Sequence, residues 1–378
     1  LICSDGGARP NILFFVLESW RGGMLDAETT PNMYRIANNS FRFDNHLSGG
    51  NVTITGLFSL LYGLHPSYLD RVKAAPLDHQ TLLNTTLADL GYRREVYTSS
   101  DMSRFAMRQM YFGGIPDSDY HFEDTYGKGK SADRAANDRE AVDLLLQNIG
   151  SDPATGDPWY RFVFLTSSHF PYNYPSSHEW FQPVGDPGEF VFDKYIDNGP
   201  MLNDYRNSLH YSDALFGEII ESLVKRGEYE NTLIIVTSDH GEAFNDYGRG
   251  YWGHGSDFTW EQNSTPLLVH LPGQQKGELV SRRSSHIDIT PTVLRHGLEC
   301  DGDFDNISNG HDLFDLPEHR SIISASYANS AFIVDDDVFI EQVGIKSHGL
   351  KNPQTNEIPV PYEAIRQLNA EARRFIGD

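Results

Sequence analysis

Long apolar runs are missing from this sequence. The longest unbroken one, Ile12–Leu17, has six residues, where a membrane-spanning helix needs about 20. Cysteine is nearly absent: Cys3 and Cys300 are the whole complement. Two are too few for a disulfide scaffold or a thiolate zinc site, although a single tethering disulfide between them is open. Basic charge is also scarce. With 30 Lys and Arg against 53 Asp and Glu, the formal net charge is −23. That balance argues against nucleic acid as a partner and leaves no polybasic stretch for an anionic membrane. The opening LICSDGGARPN has neither an initiator Met nor the apolar core of a signal peptide. The expectation is a soluble portion of a longer protein whose N-terminal membrane part lies outside this chain. Repeats, coiled-coil heptads and low-complexity tracts are missing as well.

What is present is ordinary for a globular chain, and 378 residues with 39% hydrophobic content can bury a sizeable core. Short buried strands alternate with helical segments, which predicts an α/β fold. It has a mostly parallel central sheet sandwiched by helices, with a small C-terminal antiparallel β layer and a terminal helix. Asn11–Leu17 (NILFFVL), Phe41–His46, Arg94–Thr98, Arg161–Thr166, the LIIV of LIIVTSDHGE and Pro266–His270 read as strands. Helices are expected over TTPNMYRIANNS, with Thr30 as N-cap and Pro31 in first position, over Gln80–Leu90, Asp133–Ile149 and Asn203–Arg226, and from Thr290 and Pro291. SIISASYANSAFIVDDDVFIEQV reads as the small antiparallel layer, and a helix from Tyr362 to about Phe375 closes the chain. Pro171–Pro200, rich in Pro, Gly and aromatics, reads as a long ordered loop. GKGKS at 127–131 is not a phosphate loop, because Asp124 stands where that motif needs glycine. The organisation expected is one domain over residues 1–378, with a core at 10–300 and a C-terminal subdomain from about 301.

Four apolar residues of LIIVTSDHGE (Leu233–Glu242) run into a polar corner, the way a buried parallel strand delivers side chains to the ligand-binding edge of a sheet. Asp239 and His240 there offer a hard oxygen and a borderline nitrogen to a divalent cation. Alone, the pair equally describes a turn with a solvated histidine. Its company changes the reading: Glu18 ends the first strand, and His169 follows Arg161–Thr166 in SSHFPY. SGGNVTITGLFSLLYGLHPSY adds a helix from about Ile54, with Asn51 or Thr53 at its start. A hydroxyl at a helix N-terminus lies in the positive end of the dipole, so Thr53 is either a plain cap or a nucleophile. A cation held by Glu18, Asp239 and His240 would lower the pKa of the Thr53 hydroxyl and polarise a phosphoryl or sulfuryl oxygen. His169, and His254 between glycines in GHGS, could stabilise the transferred group or protonate the leaving oxygen. His46, His65, His79, His210, His270 and His286 are assigned to packing or capping. So are Trp159, Trp180, Trp252 and Trp260, in preference to a lipid-facing cleft.

NILFFVLES, the TPN of TTPNMYRIA, FDNH, the Gly-rich Thr53 loop, SSHFPY, VTSDHGE, GHGS followed by TPLLVHLPG, and DITPTVL occur in this order over roughly residues 10–300. In that order they resemble the alkaline phosphatase/sulfatase superfamily. Among its branches the chain looks most like the lipoteichoic acid synthase and phosphoethanolamine transferase group. Within that group it is similar to the YejM (PbgA) type of Gram-negative inner-membrane proteins. The resemblance implies a site for one divalent metal ion (Mg, Mn or Zn) made by Glu18, Thr53, Asp239 and His240. Thr53 would be the nucleophile, with His169, His254 and Arg104 acting on the substrate. It further implies a phosphatase or phosphotransferase of phosphoester or phospholipid-type substrates at the periplasmic face of the inner membrane. The alternative it carries is a catalytically weak domain that binds lipid or lipopolysaccharide and regulates envelope synthesis through protein partners. Some YejM-type proteins lack an intact DHG motif, whereas this chain keeps SDHGE. The CxPxR of true sulfatases is absent, since both cysteines lie elsewhere, in CSDG and CDGD. Sulfate-ester hydrolysis is therefore not expected.

Overall fold

Side chains on a strand alternate between its two faces, and in Asn11–Leu17 (β1) both sets are apolar. Ile12, Phe14 and Val16 enter one buried cluster, and Leu13, Phe15 and Leu17 enter another. Such a strand has to be covered on both sides. The computed structural model describes residues 1–4, 9–100, 102–121, 133–152, 156–185, 192–341, 346–353 and 358–375, and β1 lies in the middle of its main sheet. Among the described residues the other strands of that sheet are β2 (Phe41–Phe43), β3 (Arg93–Thr98), β4 (Tyr120–His121), β5 (Trp159–Leu165), β6 (Thr232–Ser238), β7 (Leu267–His270) and β8 (Glu278–Val280). Their order is β8-β2-β7-β6-β1-β5-β3-β4. From β6 to β4 every pairing is parallel, whereas β7 runs antiparallel to both of its neighbours.

Helices cover the two faces as the alternation predicts. On one face lie α2 (Thr53–Tyr62) and α3 (Leu82–Asp89); on the other lie α1 (Pro31–Ala37), α4 (Arg134–Ser151) and the 28-residue α5 (Gly199–Arg226). A separate antiparallel sheet follows, of β9 (Ile322–Ala325), β10 (Ser330–Val334), β11 (Asp337–Glu341) and β12 (Lys346–Gly349). Leu368 and Ala372 of α6 (Tyr362–Ala372) pack on Ile323, Phe332 and Phe339 of that sheet. The sheet docks on the body through the glycine-rich loop before α2: Asn51 N donates to Ala325 O at 3.0 Å, and Ala325 N donates to Gly49 O at 3.0 Å. Cys3 and Cys300 face each other across a short antiparallel pair and form a disulfide.

Several local expectations are corrected. Thr30 does not cap α1, because its hydroxyl donates to Met24 O; Asp213 of α5 takes over, accepting from Asn32 N at 2.9 Å and Met33 N at 2.8 Å. Thr53 is not a cap either, since it is the first helical residue and α2 has no side-chain cap. Asn51 instead donates to Asp257 O. Phe41–His46 is broken into Phe41–Phe43 and His46–Leu47, with the second piece pairing with Ser284–Ser285. The helix expected to begin at Thr290 and Pro291 starts earlier, at a capping box of Ser285 and Asp288, and the Thr290 hydroxyl donates to Leu60 O. Between residues 171 and 198 the described residues hold only the short 3-10 turn Ser176–His178, in keeping with a long loop. GKGKS at 127–131 lies outside the described residues.

Removing a carboxylate that satisfies two buried helix-start donors costs about 1–3 kcal/mol. Asp213→Ala is therefore expected to lower unfolding free energy by that amount in urea titrations, and Asp213→Asn by less. Burial pulls the pKa of His65 and of His286 from 6.5 down to about 3, with Arg320 pushing His65 the same way. The folded chain keeps both neutral while the unfolded chain protonates them below pH 6.5. Their contribution is thus intact above that pH and is lost on acidification towards pH 3, at about 1.4 kcal/mol per pH unit for each. In unfolding measurements between pH 6.5 and 4.5, His65→Gln is expected to make stability less pH-dependent by about that slope.

Candidate active site

Three neighbouring strands end at one level. Leu17 of β1 is in register with Leu165 of β5 and with Ser238 of β6, so Glu18, the Thr166–His169 corner, and Asp239 with His240 emerge side by side. Backbone bonds tie the corner: Glu18 N donates to Leu165 O at 2.9 Å, and Asp239 N donates to Leu17 O at 3.2 Å. Ser19 then turns through φ of +59°, which a non-glycine residue holds only where its surroundings enforce it. Here they do: Ser19 N donates to Asp239 Oδ1 at 2.9 Å, and the Tyr205 hydroxyl from α5 donates to Ser19 O at 2.7 Å.

Thr53 arrives from the other direction, on the first turn of α2. The approach depends on Gly56, where a Cβ would stand 2.1 Å from Asp239 O. With glycine there the helix closes in, and the Thr53 hydroxyl donates to Glu18 Oε1 at 2.8 Å.

Glu18, Asp239 and His240 are all buried. His240 Nε2 lies 3.4 Å from Glu18 Oε1 and 3.3 Å from Asp239 Oδ2. A carbonyl only accepts, so the 2.9 Å contact of His240 Nδ1 with Gly241 O makes Nδ1 the donor and turns Nε2 towards the two carboxylates. Asp239 Oδ2 and His240 Nε2 have no hydrogen-bond partner. Burial raises the Asp239 pKa to about 7, and the Glu18 charge adds to the rise. Burial alone would lower His240, yet the Asp239 and Glu18 carboxylates lift it to about 9. Burial also works against ionised Glu18, but the neighbouring His240, His169 and His254 imidazoles hold it below the usual carboxylate range. Without a metal ion, protons supply the positive charge that the two carboxylates need: His240 is held protonated and Asp239 is pushed towards its neutral form. Two oxygens and one nitrogen, with one ligand atom from each residue and all three within 4.8 Å of one another, form a donor set that fits a divalent cation. Glu18 with His169 and His254, and His240 with Glu242 and His254, likewise bring one ligand atom each within 4.8 Å of one another.

His169 and His254 face each other with ring centroids 5.4 Å apart, and the His254 ring lies 4.3 Å from that of His240. His169 Nδ1 donates to Phe170 O at 2.7 Å, and burial lowers its pKa. His254 Nδ1 donates to Glu242 Oε2 at 2.8 Å, while Glu242 Oε1 accepts from the Tyr172 hydroxyl. A cavity of about 260 Å³ opens in front of these groups, lined by Glu18, Thr53, His169, His254 and Arg104, together with Ser100, Phe105, Arg134 and Tyr327. All seven residues singled out from the sequence, Glu18, Thr53, Arg104, His169, Asp239, His240 and His254, are thus gathered at one place. Four neighbours escaped that reading. Glu242 and Tyr172 lay inside the quoted SDHGE and SSHFPY without a role, whereas Arg134 and Tyr327 had no local signal. Trp159 and Trp252 are buried, as packing predicts, whereas Trp180 is exposed.

The Sulfatase family profile matches residues 10–297. Inner membrane protein YejM of Salmonella typhi is 20% identical over 379 residues, covering 99% of this chain and 57% of that protein. Lipoteichoic acid synthase-like YvgJ of Bacillus subtilis is 24% identical over 97% of this chain and 60% of its own length. The chain therefore spans little more than half the length of these relatives. A protein in the alkaline phosphatase superfamily from Vibrio parahaemolyticus superposes with a TM-score of 0.71 at 18% identity, covering 98% of this chain and 88% of that one.

The carboxylate pair makes a prediction of opposite signs. Asp239→Asn removes a buried like charge, so the metal-free variant is expected to melt at or above the wild-type temperature. Adding Mg, Mn or Zn should stabilise the wild type, by about 2.7 kcal/mol at a hundredfold excess over Kd, and leave Asp239→Asn unmoved. Differential scanning calorimetry with and without chelator reads both effects. A metal-induced rise preserved in the variant would remove Asp239 from the donor set.

Proposed function

Since the chain belongs to the sulfatase family and shares the alkaline phosphatase-like fold, we propose that it is a metal-dependent phosphatase or phosphotransferase with Thr53 as nucleophile. Its substrates are phosphoesters of phospholipid type, and its place is the periplasmic face of an inner membrane, joined to a membrane part outside this chain. Among the described residues no helix is long and apolar enough to cross a membrane. The observation that carries the reading is the Thr53 hydroxyl, seated on Glu18 Oε1 at 2.8 Å beside the orphaned Asp239 and His240 atoms.

A divalent cation would be held by Glu18, Asp239 and His240, with Thr53 completing the set, and would supply Lewis acidity to acidify the Thr53 hydroxyl and polarise the phosphoryl oxygen. Glu18 orients the hydroxyl for attack on phosphorus. Because α2 carries no side-chain cap, its first N–H groups and the positive end of its dipole are left for the transferred oxygens. His254, braced through Nδ1 by Glu242, presents Nε2 to protonate the leaving oxygen. His169, braced by Phe170 O and kept neutral by burial, presents a lone pair that takes the proton of the accepting water or alcohol. Formylglycine-type sulfate chemistry is disfavoured because both cysteines are joined in the Cys3–Cys300 disulfide.

The likeness to YejM over 99% of the chain favours a second reading, a domain that binds lipid or lipopolysaccharide and signals to envelope partner proteins. Turnover separates the two. With Mg, Mn or Zn, the wild type is expected to release phosphate from p-nitrophenyl phosphate, while Thr53→Ala and Asp239→Ala each lose about a hundredfold or more in kcat/KM. Equal rates in all three proteins would eliminate the enzymatic reading. Lipid binding indifferent to chelator and to Thr53→Ala, without turnover of any phosphoester, would favour the second.

A further inference from the structure

The proposed reaction accounts for Glu18, Thr53, His169 and His254 in the cavity lining, but not for its two arginines. Among the described residues that line it, Glu18 is the only acidic one, in a chain with 53 acidic residues. Most arginines of this acidic chain are spoken for: Arg93, Arg139, Arg161, Arg206 and Arg226 each sit in an ion pair. Arg104 and Arg134 line the cavity, and among the described residues neither guanidinium has an ion pair or a hydrogen bond.

Both are placed by the backbone. Arg134 opens α4 immediately after the cap Asp133, whose carboxylate accepts from Ala136 N. Arg134 N also donates to Asn173 Oδ1 at 3.3 Å, which ties the helix start to the loop that begins at His169. Arg104 precedes Phe105 and Ala106, held at φ of +57° and +58°, and its guanidinium lies 5.5 Å from the Phe105 ring. Two unpaired planar forks on one polar cavity suit bidentate binding of phosphate oxygens. The transferred phosphoryl group already has the cation ligands, the uncapped helix start and two histidines.

We propose that Arg134 and Arg104 form a second-anion subsite, so that the substrate carries a phosphate group beside the one transferred. The inference rests on the phosphoester reading of the same cavity, and it adds Arg134 as a specificity-determining residue.

Butyl phosphate and butane-1,4-diyl bisphosphate form a matched pair of probes, with phosphate release as the readout. The expected result is a kcat/KM for the bisphosphate about tenfold or more above that for the monophosphate, after correction for its two reacting ends. Arg134→Gln abolishes that ratio and Arg134→Lys restores part of it. A ratio of one in the wild type, or a ratio that survives in Arg134→Gln, overturns the subsite, while turnover of p-nitrophenyl phosphate keeps the phosphoester reading. If no ester is turned over, calorimetric binding of the bisphosphate decides. Affinity that depends on Arg134 upholds the subsite although the reaction reading falls, and affinity that does not overturns both. Unchanged melting temperatures of the two variants verify that the fold is intact.

Discussion

Two buried carboxylates crowd one point with a single imidazole as their counter-charge, and much of the surrounding structure is explained by how they are held there. Glu18 and Asp239 would repel each other in a low-dielectric interior unless a cation or a proton stands between them. The consequence is visible in their opposite shifts, with Asp239 raised and Glu18 held ionised by His240. Folding energy has to sustain this arrangement, because the desolvation of buried charges can exceed what their mutual attraction returns.

That support comes from the scaffold. Strand register places the three strand ends at one level, and α5 braces the result. Through Tyr205 it fixes the strained Ser19 turn that feeds a backbone donor to Asp239, and through Asp213 it caps α1 behind the same sheet. The opposite side is closed by α2, whose approach depends on a glycine at position 56. The small antiparallel sheet contributes as well. It docks on the loop before α2, and Tyr327, in the turn after β9, reaches the cavity.

A good deal of this was legible in the residues. Strands buried on both faces announce themselves as unbroken apolar runs, and the polar residue that ends each run has to emerge at the sheet edge. For that reason Glu18, His169, Asp239 and His240 could be named together. Capping was misread at Thr30, and Thr53, open as cap or nucleophile, turned out not to cap, for one physical reason: a local hydroxyl competes with tertiary partners, and here Asp213, about 180 residues away, and Glu18 won. Glu242 was passed over although it sits in the same motif, because its value lies in reaching His254, which sequence spacing does not express.

The sequence by itself determined the α/β layering, the helices, the acidic surface, and the residue types that meet at the carboxyl edge of the sheet, because hydrophobic period and strand ends are local properties. Only the tertiary structure decided which atoms face one another. The turning of His240 Nε2 towards two carboxylates, the seating of Thr53 on Glu18, the Cys3–Cys300 bond, and the arrival of Arg134 and Tyr327 at the cavity all depend on packing between segments far apart in the chain. Packing is a property of the whole fold, and no local pattern encodes it.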